Sequence, residues 1–222
     1  NEKERAEKGF RIFFWLFFAA ASLTVLWILI LSLLFEIKKV QLAQDKILTP
    51  GDIYQLIEGY KFLGLNRNLL TLPQKHLESD LGVVFPAIYN IDIKKDLPGN
   101  TLKINFEKRL ELGIWCHSAG DQPQADNCYY IDKKGVIFQT APKSEGTLIL
   151  KITDSAKDGV SLGDSVLSAD EINFIKNFND EFNKIIQSKI AEFRIKPTLN
   201  VNLEAVTAGG WSAYLDFDEK PE

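Results

Sequence analysis

At 222 residues, with 45% hydrophobic and 25% charged side chains, the chain is long enough for one large or two small domains and too apolar for wholesale disorder. Its formal net charge of −4 excludes a broadly basic, nucleic-acid-binding surface. Two histidines and two cysteines leave little material for a His/Cys metal cluster, and a chain that opens on Asn1 with no methionine reads as lacking an upstream piece.

Residues 1–11 read as a cytoplasmic tail and residues 12–35 as a transmembrane helix. Ile12 to Phe35 contains 24 uncharged positions, with only Ser22, Thr24 and Ser32 polar. Such a helix spans about 36 Å, enough for a hydrocarbon core of about 30 Å. A cleavable leader has an apolar core of only about 7–15 residues, so the lipid bilayer is the expected partner of residues 12–35. Lys3, Arg5, Lys8 and Arg11 on one flank outnumber Lys38, Lys39 and Lys46 on the other, a weak bias toward a cytoplasmic N-terminus.

The cysteines bear on the compartment. Cys116 and Cys128 bracket a polar stretch between two strand-like runs, Leu112 to Trp115 and Tyr129 to Ile131. They read in three ways: a disulfide closing a hairpin loop, a metal site of Cys116, His117, Asp126 and Cys128, or two free thiols. The metal site lacks C-x-x-C spacing. A disulfide would stabilise by roughly 3 kcal/mol through the unfolded chain and is the favoured reading. It requires an oxidising compartment, which places residues 36–222 outside the cytoplasm.

Residues 36–110 read as strand, helix, helix, strand, strand. Val40 and Leu42 alternate with Lys39 and Gln41. Thr49-Pro50-Gly51-Asp52 opens a helix with a capping residue, a proline in the first turn and an acid third; Ile53, Leu56, Ile57 and Tyr60 form its apolar stripe. Gly64 to Asn66 is a turn, and Thr71-Leu72-Pro73-Gln74 repeats the capping pattern ahead of a second stripe, Leu77, Leu81 and Val84. Tyr89, Ile91 and Ile93, then Leu102, Ile104 and Phe106, alternate with polar residues on either side of Pro98-Gly99, which predicts a hairpin with a type II turn.

This order behind one apolar helix resembles the POTRA domain of the bacterial cell-division proteins of the FtsQ/DivIB family. The residues that carry the likeness are Gly64-Leu65-Asn66 with Leu69, Phe85-Pro86, the run Leu97 to Ile104, and Glu107-Lys108-Arg109. Tyr130-Ile131-Asp132-Lys133-Lys134-Gly135-Val136-Ile137-Phe138 resembles the family's Ile-Asp-x-x-Gly-Val-Phe segment. Leu110-Glu111 stands where the family carries proline, and the cysteine-closed loop is not a general family feature.

Residues 111–222 read as a mostly antiparallel, β-rich domain with one covering helix. The expected strands are Leu148/Leu150/Ile152, Phe193/Ile195, Leu199/Val201/Leu203 and Trp211 to Phe217, with Asp154 to Gly163 as a polar loop. Ser168-Ala169-Asp170-Glu171 is a capping box for a helix whose apolar face is Ile172, Ile175, Phe178, Phe182, Ile185 and Ile186. The expected fold is therefore α+β: one transmembrane helix, a βααββ POTRA-like domain over 36–110, and the β-rich domain over 111–222.

No nucleophile, metalloprotease or phosphate-loop motif occurs, so no enzyme, cofactor, metal or small-molecule substrate is expected. The resemblance implies a single-pass scaffold at the septum of the bacterial inner membrane that recruits division proteins, including FtsB- and FtsL-type coiled-coil partners. It also implies a main partner surface toward the C-terminus, in a part that the 222-residue chain largely lacks, so weak or no coiled-coil binding is expected of this form. The candidate partner-binding strand is Trp211, Ser212, Ala213, Tyr214, Leu215, Asp216 and Phe217, read as a sheet edge whose backbone is open to strand addition while the side chains of Trp211, Leu215 and Phe217 face the core. Two other functions compete: a POTRA-containing component of membrane-protein transport or assembly, and a membrane-tethered extracytoplasmic enzyme whose active site lies outside this sequence.

Overall fold

A computed structural model describes residues 2–31, 33–43, 47–60, 67–118, 127–143, 147–186, 188–196 and 203–217. The turn expected at Gly64 to Asn66, the strand positions Leu199 and Val201, and Asp126 lie outside them. Among the described residues the fold is α+β, with one N-terminal apolar helix followed by two sheets and three further α-helices. Contacts divide it into two units, Asn1–Asp80 with Asn90–Phe106, and Leu81–Tyr89 with Glu107–Glu222.

Helix α1 runs Glu2–Leu31, and its stretch Gly9–Ile28 has a mean hydropathy of 1.9, long and apolar enough to cross a membrane. The expected helix ran on to Phe35, but a 3-10 turn occupies Leu33–Phe35. Backbone pairing accounts for the change: Leu69 N–H donates to the Phe35 carbonyl and Ile37 N–H to that of Arg67, so the chain is already joined to residues 67–69.

The first sheet holds β1 (Lys39–Leu42), β2 (Ile88–Asp96) and β3 (Thr101–Lys108) in the order β1-β3-β2, with β1 parallel to β3. Helices α2 (Pro50–Glu58) and α3 (Gln74–Val84) lie between β1 and β2 in sequence. Thr49 caps α2 as expected, with its hydroxyl accepting from Asp52 N–H and the Asp52 carboxylate accepting from Thr49 N–H. Ile53 and Ile57 are fully buried. The second capping pattern does not form. Helix α3 starts only at Gln74, and the Thr71 hydroxyl donates to the Asn68 carbonyl instead. Its stripe is also shorter than expected, for Leu77 and Leu81 are buried while Val84 is exposed.

In β2 the alternation slips. Ile88 and Ile93 are both buried although four residues lie between them, which in a regular strand would put them on opposite faces, and Asn90 between them has φ 50°. A left-handed residue, which Asn tolerates, changes the face that the following side chains present. The Pro98-Gly99 connection is not type II, because the left-handed residue is Asn100 (φ 48°) rather than Gly99. Asn100 N–H donates to the Leu97 carbonyl, giving a four-residue turn closed by a left-handed residue, a geometry that suits the twist of a hairpin. Two later connections repeat it. Gly135 (φ 78°) donates to Asp132, and Gly210 (φ 84°) donates to Thr207.

The second sheet has the order β10-β9-β8-β7-β4-β5-β6, from β4 (Gly113–His117), β5 (Asn127–Ile131), β6 (Ile137–Thr140), β7 (Leu150–Asp154), β8 (Ile190–Ile195), β9 (Leu203–Thr207) and β10 (Ser212–Leu215). Its outer pairs are antiparallel, but β7 runs parallel to both β4 and β8. A parallel pair needs a long crossover, and between β7 and β8 that crossover contains α4 (Ala169–Ile186).

The capping box opens α4 as expected, with Ser168 N–H donating to Glu171 and Glu171 N–H to the Ser168 hydroxyl. Ile172, Ile175 and Phe182 join Trp115, Ile152 and Phe193 in one core. Ile185 and Ile186, expected on the same face, are exposed at the helix end, whereas Phe174 packs on the core. Two further expectations are corrected. Leu148 is exposed and precedes β7, while Asp154, read as loop, is its fully buried last residue.

Candidate partner-binding edge

Strand β10 occupies one end of the second sheet and pairs with β9, Ser212 opposite Val206, Ala213 opposite Ala205, Tyr214 opposite Glu204 and Leu215 opposite Leu203. The hairpin fixes which backbone groups face outward. Thr207 N–H donates to the Trp211 carbonyl at 2.9 Å, making Thr207/Trp211 a hydrogen-bonded pair. Antiparallel pairs alternate, so Ala213 and Leu215 turn their N–H and C=O groups toward β9. Those of Ser212 and Tyr214 face away from the sheet.

The side chains follow the opposite logic. Ala213, Leu215 and Phe217 pack against the core beneath α4, with the Phe217 ring 5.6 Å from that of Phe174. Trp211 remains 45% exposed although its ring lies 5.6 Å from that of Phe182, and Tyr214 is exposed. Trp211, Asp216 and Phe217 were expected within the strand but flank it. Glu204 sits behind β10, 2.6 Å from the Lys196 ammonium. That ion pair, joined by a bond from the Ser212 hydroxyl, outweighs burial and holds the Glu204 carboxyl below its usual pKa.

The opposite end of the sheet is closed differently. Ile137 N–H donates to the Asp164 carbonyl, Gly163 N–H to that of Ile137, and Val166 N–H to that of Gly135. The loop before α4 therefore covers the start of β6, a usual protection of an edge. Among the described residues, β10 has no such cover.

Cys116 and Cys128 face each other across β4 and β5 and are joined by a disulfide. Both are buried. With both sulfurs engaged, neither thiolate is left for the alternative metal reading. Among the described residues no group of three or more His, Cys, Asp or Glu is placed to hold a metal. His117 instead has Nε2 3.2 Å from Asp158, and His76 is exposed on α3.

A second cluster escaped the sequence reading. Arg109, just after β3, donates through Nε to the Pro86 carbonyl at 2.8 Å and pairs with Asp132 at 2.5 Å. Asp132 also accepts from Lys134 N–H and Val136 N–H, so one carboxylate both shapes the β5–β6 turn and neutralises Arg109. The Tyr89 ring lies 5.3 Å from both the Arg109 guanidinium and the Lys134 ammonium. A hydrogen bond to Glu107 raises the Tyr89 phenol above its usual pKa. Nothing in local sequence couples residues 107–109 to 132–134.

The chain matches no protein-family model, and no curated protein matches it.

Proposed function

We propose that the chain is a non-enzymatic, single-pass scaffold of the bacterial division machinery, similar to the FtsQ/DivIB family. In this reading α1 lies in the inner membrane, the βααββ unit is a POTRA domain, and residues 36–222 are extracytoplasmic at the septum. The observation that carries it is the edge strand β10, with outward main-chain groups at Ser212 and Tyr214, in a chain that also carries a helix able to span a membrane. The disulfide supports the extracytoplasmic placement, since such bonds persist in oxidising compartments.

Work of this kind is binding, not chemistry. Anchoring confines the scaffold and its partners to one membrane and raises their effective concentration. An extended partner segment then adds to β10, with main-chain bonds supplying affinity and alternate side chains supplying specificity. The segment fitting this reading belongs to an FtsB-type coiled-coil protein; because the main partner surface is expected further toward the C-terminus, β10 of this 222-residue form binds it only weakly, and the segment is supplied in large excess. Backbone hydrogen exchange tests it on the full chain in nanodiscs, with and without the extracytoplasmic segment of the FtsB-type protein from the same organism. The amides of Ser212 and Tyr214 gain protection on addition, while those of Ala213 and Leu215 are protected throughout. Unchanged exchange at Ser212 and Tyr214 under saturating segment contradicts the reading.

A further inference from the structure

We propose that the groove between the β3–β4 connector, the β5–β6 turn and α4 docks an acidic, extended peptide segment of a protein partner, at a surface separate from β10. The groove has a volume of about 340 Å³. Lys133 and Lys134 line it from the turn and Lys176 from α4, with Tyr89 and the Arg109–Asp132 pair alongside. Its lining carries four cations, Arg109, Lys133, Lys134 and Lys176, against two anions, Glu111 and Asp132, in a chain whose net charge is −4. Asp132 is committed to Arg109. Among the described residues, Lys133 and Lys176 make no ion pair.

Two further observations point to a peptide and not to a simple polyanion. Leu110, on the groove wall, is 77% exposed. The connector around it lies outside the strands, with Arg109 N–H donating to the Ala87 carbonyl and Leu112 N–H to that of Ile131, while Leu110 and Glu111 donate from their backbone to no described residue. A lipid headgroup or an acidic polysaccharide needs the lysines alone. An acidic peptide with interspersed apolar residues uses the lysines, the leucine and the two free amides together.

The test is fluorescence anisotropy on the full chain in phosphatidylcholine nanodiscs. The probes are a labelled peptide of alternating Glu and Leu and a labelled oligoglutamate of equal charge. Saturable binding of the Glu/Leu peptide is expected, weakened about tenfold by the double variant Lys133→Glu/Lys176→Glu, as two exposed pairs reversed in sign should do. Leu110→Ser weakens it about threefold, and Tyr214→Pro, which alters only the β10 edge, leaves it unchanged. All these positions are exposed, so each variant should keep the parent's unfolding midpoint. The proposal is overturned by absence of saturable binding, by indifference to the lysine reversals, by oligoglutamate binding as tightly as the Glu/Leu peptide, or by loss of binding in Tyr214→Pro.

Discussion

Arg109 and Asp132 stand 23 residues apart in the chain, yet their side chains form a 2.5 Å ion pair largely shielded from water. Asp132 spends its other oxygen on two turn amides, so removing it strands a buried guanidinium and two N–H groups at once. Breaking one half of a buried pair costs about 3–5 kcal/mol. Asp132→Ala should lower stability by that amount in denaturant unfolding of the full chain. Arg109→Lys, which keeps the charge but loses the planar fork, should cost less. Equal and negligible effects would show that the pair is incidental.

Gly135 has two independent reasons to be glycine. Its φ of 78° disfavours any side chain, and a Cβ there would lie 1.9 Å from the Leu167 carbonyl oxygen. Left-handed strain and overpacking together put Gly135→Ala at about 2–5 kcal/mol of destabilisation. Gly210 shares the left-handed geometry but has open space around it, so Gly210→Ala should cost only the backbone part. Comparing the two unfolding midpoints separates strain from crowding.

Reduction of the Cys116–Cys128 bond should lower stability by about 3 kcal/mol, because it frees a short loop in the unfolded chain. The double variant Cys116→Ser/Cys128→Ser should match the reduced protein within error and show no further change with reductant.

Two carboxylates set opposite pH dependences. Lys196 lowers the Glu204 pKa from its usual 4.5, so the stability contributed is complete above that value and is lost as pH falls through the folded-state value. Asp154 is the reverse. Burial raises its pKa from 3.8, against the opposing Ala156 amide and Trp115 indole, so its contribution declines as pH rises through the raised value. Glu204→Gln should flatten the acid limb of the stability curve, and Asp154→Asn should improve stability at neutral pH relative to acid.

What the sequence made legible was local. Thr49 and Ser168 announced α2 and α4 because capping acts across three residues. The parallel pairing of β7 with β4 and β8 was not legible, since periodicity reports burial and not neighbours. Ile185 and Ile186 continued the stripe of α4 but lie exposed at its end. The edge position of β10 was anticipated from Trp211 to Phe217 being the last strand-like run. Which of its amides face outward depended on the Thr207–Trp211 bond, which no residue pattern reveals.

That alternation allows a clean perturbation. Tyr214→Pro removes an outward N–H and should leave the β9–β10 pairing intact, because an edge strand tolerates proline on its open side. Ala213→Pro removes an inward N–H and should cost about 3 kcal/mol or more. Circular dichroism melts should rank them in that order.

Under the proposed function, the position of the protein in dividing cells is the most direct measurement. The full-length protein, fluorescently tagged at its N-terminus, should form a narrow midcell band before constriction begins. Uniform membrane fluorescence, in cells where another division marker forms bands, would contradict the division reading.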